Sequence, residues 1–274
     1  MKRGLVAFTA GEVAGLRITF ASVFLLPFAL RKIKHASAHH YPKLFFSGMI
    51  GVFIPAFLFT NAQLHLNSSI VGILNSLTPL WTLLIGAIFY KMIIKRSTFL
   101  GLLFGFVGAV ILIFSKSGNQ NLNFNGYGLL VVLACAFYGY NLFFVKYHIH
   151  DLRAMTITSF SVVTVAPLAI VYLFGFTDCV ERLQTHADAW KSLGYIAILA
   201  LFSTATAVWL FNKLVKIASP LFVSTVTYLI PLVSVLWGLY DGEVLNFSHV
   251  FGMAIIFVGV FLANMQGRNQ VSKV

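Results

Sequence analysis

A chain of 274 residues that is 59% hydrophobic and only 9% charged, with a mean hydropathy of +0.90, is too apolar for a soluble domain. Its net charge of +12 invites a nucleic-acid reading, but cations spread through many loops give the same total, so their placement has to decide. The two cysteines, Cys135 and Cys179, stand far apart, which excludes a disulfide framework and a metal-ligand spacing.

The opening MKRGLVAF offers only residues 4–8 as an apolar run before Thr9, too short for a signal peptide. A helix needs about 20 largely apolar residues to cross the hydrocarbon core. Nine such runs are predicted, at 13–30, 44–63, 70–90, 98–115, 126–146, 154–176, 192–212, 217–239 and 248–265. None shows the period-two alternation of a lipid-facing strand, so the fold class is an all-α polytopic membrane protein. The first run opens A-G-L-R-I (14–18), with Arg17 placed to pair with Glu12, to meet an anionic substrate or to snorkel to the interface. The second ends F-L-F-T-N-A-Q (57–63), a polar cluster around Asn61.

In the third run Asn75, Ser76 and Thr78 precede Pro79, which removes a backbone donor and frees a carbonyl one turn earlier. The fourth carries Gly101 and Gly108; the fifth sets Tyr138 and Asn141 three apart, on one helix face. The seventh ends W-L-F-N-K (209–213), with Trp209 and Asn212. In the eighth, Thr227 and Tyr228 precede Pro231, and the ninth repeats the glycine pair as Gly252 and Gly259. Polar groups inside spans cost free energy unless they pair or line water. Asn61, Asn75, Tyr138, Asn141, Trp209, Asn212, Thr227 and Tyr228 are therefore the substrate-binding candidates, and Pro79 and Pro231 the helix bends. The competing reading is helix packing, in which such residues glue neighbours together.

With the loop at 31–43 taken as inside, 13 of the 19 Lys and Arg fall on that side, in loops 31–43, 91–96, 146–153 and 213–216 and in the tail. Six of the seven acids fall on the other side. The positive-inside rule then makes the basic loops and the C-terminus cytoplasmic in a multi-pass cell-membrane protein, and nucleic acid is not needed.

An internal repeat runs through these spans. Pro79 matches Pro231 and Gly86 matches Gly238 at a separation of 152, and Gly101/Gly252 and Gly108/Gly259 match at 151. On this register Asn61 and Asn212 are mates one residue out of step. Two halves, each with a proline-interrupted helix followed by a glycine-paired one, form the pattern of a duplicated transporter. The halves are 1–116 and 125–266, the second with five spans and the first with four. Five spans per half give inverted repeats. The expectation is thus a 4+5 arrangement in which a first helix, the mate of 126–146, precedes Met1; Lys2 and Arg3 on the outer side point the same way.

A 5+5 arrangement with small soluble parts resembles the EamA family of the drug/metabolite transporter superfamily. The residues that carry the resemblance are A-G-L-R-I (14–18), the proline helices at 79 and 231, and L-W-G-L-Y-D-G-E (236–243). The chain departs from the pattern in beginning late and in having Lys91 where the second half has Glu243. The resemblance implies a permease or exporter of small metabolites, amino acids or related compounds among them, working by alternating access around a cavity at mid-membrane depth, with no cofactor.

No acid falls within a predicted span, which argues against proton/drug antiport as in the small multidrug relatives. H-I-H-D (148–151) reads as a loop and not as a metal site. An integral membrane enzyme is the competing class, and it would need a nucleophile and base, or a metal, at one depth; the spans hold no Ser-His or His-Asp arrangement. An N-terminally truncated, non-transporting fragment is the other alternative. The partners implied are a small-molecule substrate and the lipid bilayer; the sequence does not set the oligomeric state.

Overall fold

The computed structural model describes residues 3–32, 36–92, 96–113, 126–228 and 247–264, with positions 230, 233, 236, 237, 240 and 242. Among the described residues the regular elements are helical. In chain order they are α1 (Ala10–Arg31), α2 (His40–His65), α3 (Ser68–Tyr90), α4 (Arg96–Ile113), α5 (Tyr127–His148), α6 (Ala154–Phe176), α7 (Cys179–Thr185), α8 (Ala189–Ile217), α9 (Pro220–Ser224, continued by a 3-10 turn over Thr225–Tyr228) and α10 (Phe247–Asn264). Six of them, α1, α2, α3, α5, α6 and α8, are apolar and 22 to 29 residues long. At 1.5 Å per residue even the shortest reaches about 33 Å, enough to cross a hydrocarbon core.

Eight of the nine predicted runs fall on helices whose ends lie within a few residues. The boundary at 212–217 moves: α8 continues to Ile217, and the next helix begins at Pro220, whose fixed φ and missing N–H suit a first turn. The 217–239 run is described mainly in its first half; Pro231 and Gly238 lie outside the described residues. The short α7 occupies what the sequence reads as a loop.

The chain divides into two compact units, Met1–Leu64 with Phe144–Ser219, and His65–Phe143 with Pro220–Val274, so each unit draws on both halves of the sequence. In the first unit α1 lies antiparallel on α6. The Leu173 side chain lies against Gly15 and the Tyr172 hydroxyl against Gly11, so a Cβ at either glycine would make that side chain shift. Ala14, Ile18, Ala21 and Leu25 of α1 form a core with Val162, Val165 and Ala169 of α6, Val52 and Ala56 of α2, and Ala200 of α8. α2 crosses α6 so closely at Gly48 that a methyl there would collide with the Ser161 carbonyl.

Two helices of this unit contain π segments, Met49–Phe53 in α2 and Ala200–Thr206 in α8, beginning 151 residues apart. In α2 the cause is visible. Pro55 would press its ring on the Gly51 carbonyl in a regular α-helix, and the wider turn relieves the clash. The α8 segment contains no proline.

In the second unit α4 and α10 pack antiparallel through their glycines. A Cβ on Gly108 would meet the Gly252 carbonyl oxygen at 2.8 Å, and one on Gly259 would meet the Gly101 carbonyl oxygen at 2.6 Å. Each glycine thus touches its mate's partner, a reciprocal contact of the kind a two-fold axis produces. α3 breaks at Ser76–Leu77 and restarts at Thr78 with Pro79 in its first turn. It ends at Lys91, in the left-handed conformation with φ 53°, and the Met92 N–H donates back to the Gly86 carbonyl at 3.1 Å. Among the described residues the other positive φ belongs to Gly242, at 77°, again 151 residues on. Lys91 and Gly242 thus share a left-handed backbone at the separation of the glycine pairs. At that same separation Asn61 and Asn212 fall in register.

Candidate functional site

The polar residues of the spans divide between the two units. In the first, Asn212 of α8 is buried and donates through Nδ2 to the Thr158 hydroxyl of α6 at 2.8 Å; Thr158 in turn donates to the Ala154 carbonyl at 3.0 Å. Thr156 and Ser161 of α6 are buried as well, with hydroxyls that meet no hydrogen-bond partner among the described residues. Buried hydroxyls without partners cost free energy unless water or a ligand meets them. Asn61 of α2 behaves differently from its mate: it is exposed, and its Nδ2 donates to the Phe57 carbonyl of its own helix at 2.8 Å. Trp209 is half-buried with the Lys213 ammonium 5.7 Å from its ring centre, a cation–π contact.

In the second unit the patch ahead of Pro79 is internally bonded. Thr78 Oγ1 donates to the Asn75 carbonyl at 2.8 Å, Ser76 Oγ donates to the Ile73 carbonyl at 2.6 Å, and Cys135 Sγ of α5 lies 3.6 Å from Asn75 Oδ1. Tyr138 and Asn141, half-buried, follow Cys135 on α5. Where α5 meets α3 at Gly139, a Cβ would come 2.9 Å from the Thr82 nitrogen. Thr227, buried, donates to the Ser224 carbonyl at 2.7 Å, and its turn packs on the second part of α3. The Tyr228 side chain and Pro231 lie outside the described residues. An apolar crevice in this unit is lined by Leu77, Leu80, Trp81, Leu84 and Phe106, none of them a predicted site residue.

The sequence expectation that no acid falls within a span does not hold for Glu12. α1 begins at Ala10, three residues before the predicted run, so Glu12 falls in its first turn, 1% exposed, and an acid does lie within a span. Its Oε2 accepts from the Thr9 N–H at 2.7 Å, closing a capping box, and Arg182 Nε of α7 lies 3.4 Å from Oε1, an ion pair without hydrogen-bond geometry. Beside them, burial pushes the Cys179 thiol up to about 11, the Glu12 charge adding and Arg182 opposing. Arg17, which the sequence left open to Glu12, donates through Nε to the Thr204 hydroxyl at 2.7 Å.

At the other end of the first unit the basic loops are tied by side chains. Lys146 Nζ donates to the Val215, Lys216 and Ala218 carbonyls at 3.0, 3.4 and 3.1 Å, capping the C-terminus of α8. Lys216 Nζ donates in return to the His150 and Leu152 carbonyls. His40 Nε2 pairs with Asp151 Oδ2 at 2.6 Å. Burial raises the Asp151 pKa, but the His40 hydrogen bond, its own backbone N–H and the His40 and His150 charges outweigh it and hold the carboxyl below its usual 3.8. Ser37 Oγ stands 2.7 Å from His40 Nδ1, which aligns Ser, His and Asp as in a hydrolase. That same Nδ1 accepts the Ser37 backbone N–H at 3.2 Å, so the nitrogen that would have to take the serine proton is already engaged.

Three comparisons place the chain among known proteins. The profile of the EamA-like transporter family matches residues 1–114 and 126–265. An uncharacterized transporter of Archaeoglobus fulgidus is 24% identical over 284 residues, 96% of this chain and 98% of that protein. A solved structure described as "Crystal structure of protein" matches with a TM-score of 0.66 over 97% of this chain and 92% of its own at 15% identity, a likeness of fold.

Proposed function

The chain belongs to the EamA-like transporter family, and from that premise we propose that it moves a small metabolite, an amino acid or related compound, across the cytoplasmic membrane by alternating access. The halves 1–116 and 125–266 act as inverted repeats. The observation that carries this is the reciprocal glycine contact of α4 with α10. A spanning helix packed antiparallel on its own repeat mate needs a two-fold axis across the helices, and for spanning helices that axis lies in the membrane plane. The π segments and the left-handed residues Lys91 and Gly242, each pair 151 apart, support the same relation.

Asn61, Asn75, Tyr138, Asn141, Trp209, Asn212, Thr227 and Tyr228 are the residues that meet the substrate, and Pro79 and Pro231 mark the bends about which their helices move. The C-terminus faces the cytoplasm. Transport needs no cofactor on this reading.

The test is flux in proteoliposomes loaded with the common amino acids, their amides and short carboxylates, read by mass spectrometry. Replacing Asn61, Asn75 and Asn212 together by leucine removes three polar contacts of about 1 kcal/mol each. Since ~1.4 kcal/mol is a tenfold effect, flux should fall by more than ~10-fold. Unchanged flux in a folded triple variant overturns the site.

A further inference from the structure

Asn75 carries a half-buried amide on a spanning helix, eighth of the 23 residues of α3 and next to the break at Ser76–Leu77. The break does not need that amide. The Asn75 backbone carbonyl is met by the Thr78 hydroxyl. At the matching place in the second half, 152 residues on, Thr227 stands instead, and its hydroxyl donates to the Ser224 carbonyl. An asparagine amide has one oxygen acceptor and two N–H donors. In Asn75 the oxygen is the engaged prong: Oδ1 lies 3.6 Å from Cys135 Sγ and 3.4 Å from Thr78 Oγ1, two groups that each carry a hydrogen. Nδ2 has no acceptor among the described residues.

The Cys135 thiol is buried, and its helix is fixed against α3. One turn beyond Cys135 in α5 and one turn beyond Thr78 in α3 the backbones touch, where a Cβ on Gly139 would come 2.9 Å from the Thr82 nitrogen. Residues four apart share a helix face, so the same two faces meet over successive turns and the thiol stays beside Asn75. Because the amide is planar, an oxygen held there turns Nδ2 away from the thiol. Donors left without an acceptor in an apolar span cost free energy unless water or a ligand meets them.

We infer that Asn75 recognises an oxygen acceptor on the transported compound through Nδ2, with Cys135 as its positioning residue, so that the substrate carries a carboxylate or carbonyl oxygen. This rests on the transporter reading above and narrows its substrate class. Being neutral, the amide selects for the oxygen and sets no requirement for charge.

The experiment uses the full chain in proteoliposomes and follows uptake of the common amino acid with the highest flux. Three unlabelled competitors are compared: the same acid, its carboxamide, and the amine that is left when the carboxyl group is removed. In the wild type the acid or the carboxamide should compete at least ~10-fold better than the amine, as one donor left unmet implies. Whichever of the two competes better names the kind of oxygen. Asn75→Leu should bring the advantage over the amine close to one. Cys135→Ala should reduce it with little change in kcat, and Cys135→Ser, which keeps a donor, should restore it. A merely structural role for Asn75 would lower uptake and leave the advantage unchanged, which overturns the inference. So does a wild type in which the amine competes as well as the others, and in that case the transporter reading survives. A wild type that moves none of the amino acids overturns the amino-acid reading and the inference with it. Should Asn75→Leu fail to fold, the Cys135 pair decides: an equal advantage in Cys135→Ala, Cys135→Ser and wild type overturns the inference.

Discussion

At Pro79 the backbone accounts for the polar residues ahead of it. Proline has no N–H to give the Asn75 carbonyl, so that acceptor must be satisfied some other way inside an apolar span. The Thr78 hydroxyl does so at 2.8 Å, with the Cys135 thiol a weaker donor at 3.8 Å. The Ser76 and Leu77 N–H groups meanwhile reach back to the Ile73 and Leu74 carbonyls, both at 3.0 Å, closing the break as two tight turns. Thr78→Val keeps the shape and removes the hydroxyl. It should destabilise the protein by about 1 kcal/mol, the lower part of the range for an orphaned carbonyl, because hydrogen bonds in membranes average about 0.6 kcal/mol. Thermal unfolding in detergent measures this, with Thr78→Ser expected near wild type; a Thr78→Val variant as stable as wild type would mean that the carbonyl has another donor. The sequence showed that polar residues and a proline come together here. It could not show that the hydroxyl serves its own helix, because helical spacing gives a face and not a partner. Asn61 and Asn212 teach the same lesson: the repeat pairs them, yet one bonds its own helix and the other bonds Thr158.

Among whole elements, α4 and α10 owe their contact to the absence of side chains. The atoms nearest a Cβ on Gly259 are the Gly101 oxygen and the Gly105 nitrogen, both at 2.6 Å, and these are backbone atoms that cannot rotate away. Close backbone approach is how membrane helices associate where no hydrophobic drive acts between them. Gly259→Ala must therefore push the helices apart, at a cost of about 1–3 kcal/mol, as overpacking does elsewhere. Gly194→Ala in α8, where nothing lies within 4 Å, is the matched control and should stay within about 0.5 kcal/mol of wild type. Melting temperatures of the two variants separate them; equal melting would show that α4 and α10 do not meet through these glycines. The glycine pairs were legible as a repeat because glycine is conspicuous in a run of Phe, Leu and Val. The π segments were not legible. In a span that is apolar on every side, hydrophobic periodicity has no face to report and an extra residue leaves no mark. Glu12 escaped for a different reason: the helix start was set by hydropathy, whereas the Thr9 capping box sets it three residues earlier.

Across the whole chain, packing within each unit sorts the helix ends into two sets. In the first unit His40 meets Asp151, Lys43 donates to the His148 carbonyl and Lys146 caps α8, so the loops after α5 and α8 and the start of α2 gather at one end. At the opposite end Glu12 meets Arg182, and the Ser192 hydroxyl donates to the Arg3 carbonyl. In the second unit the antiparallel α4 and α10 bring the start of one beside the end of the other. Within the first unit taken by itself, the ends that meet are ones the count of Lys and Arg expects on a common side, although the count knows nothing of contacts and the contacts know nothing of a membrane. The agreement arises because both follow from helices that traverse the same thickness. The positive-inside rule predicts that the basic ends face the cytoplasm. Both native cysteines are buried, so single cysteines at exposed positions report the side directly. His150→Cys should react with a membrane-impermeant maleimide only after the inner face is opened, and Gln184→Cys, on α7, should react in intact cells. The reverse pattern would turn the chain over in the membrane while leaving every contact described for it in place. Labelling of both from one side would instead break the alternation of spans between residues 150 and 184, where α6 is the helix that has to cross.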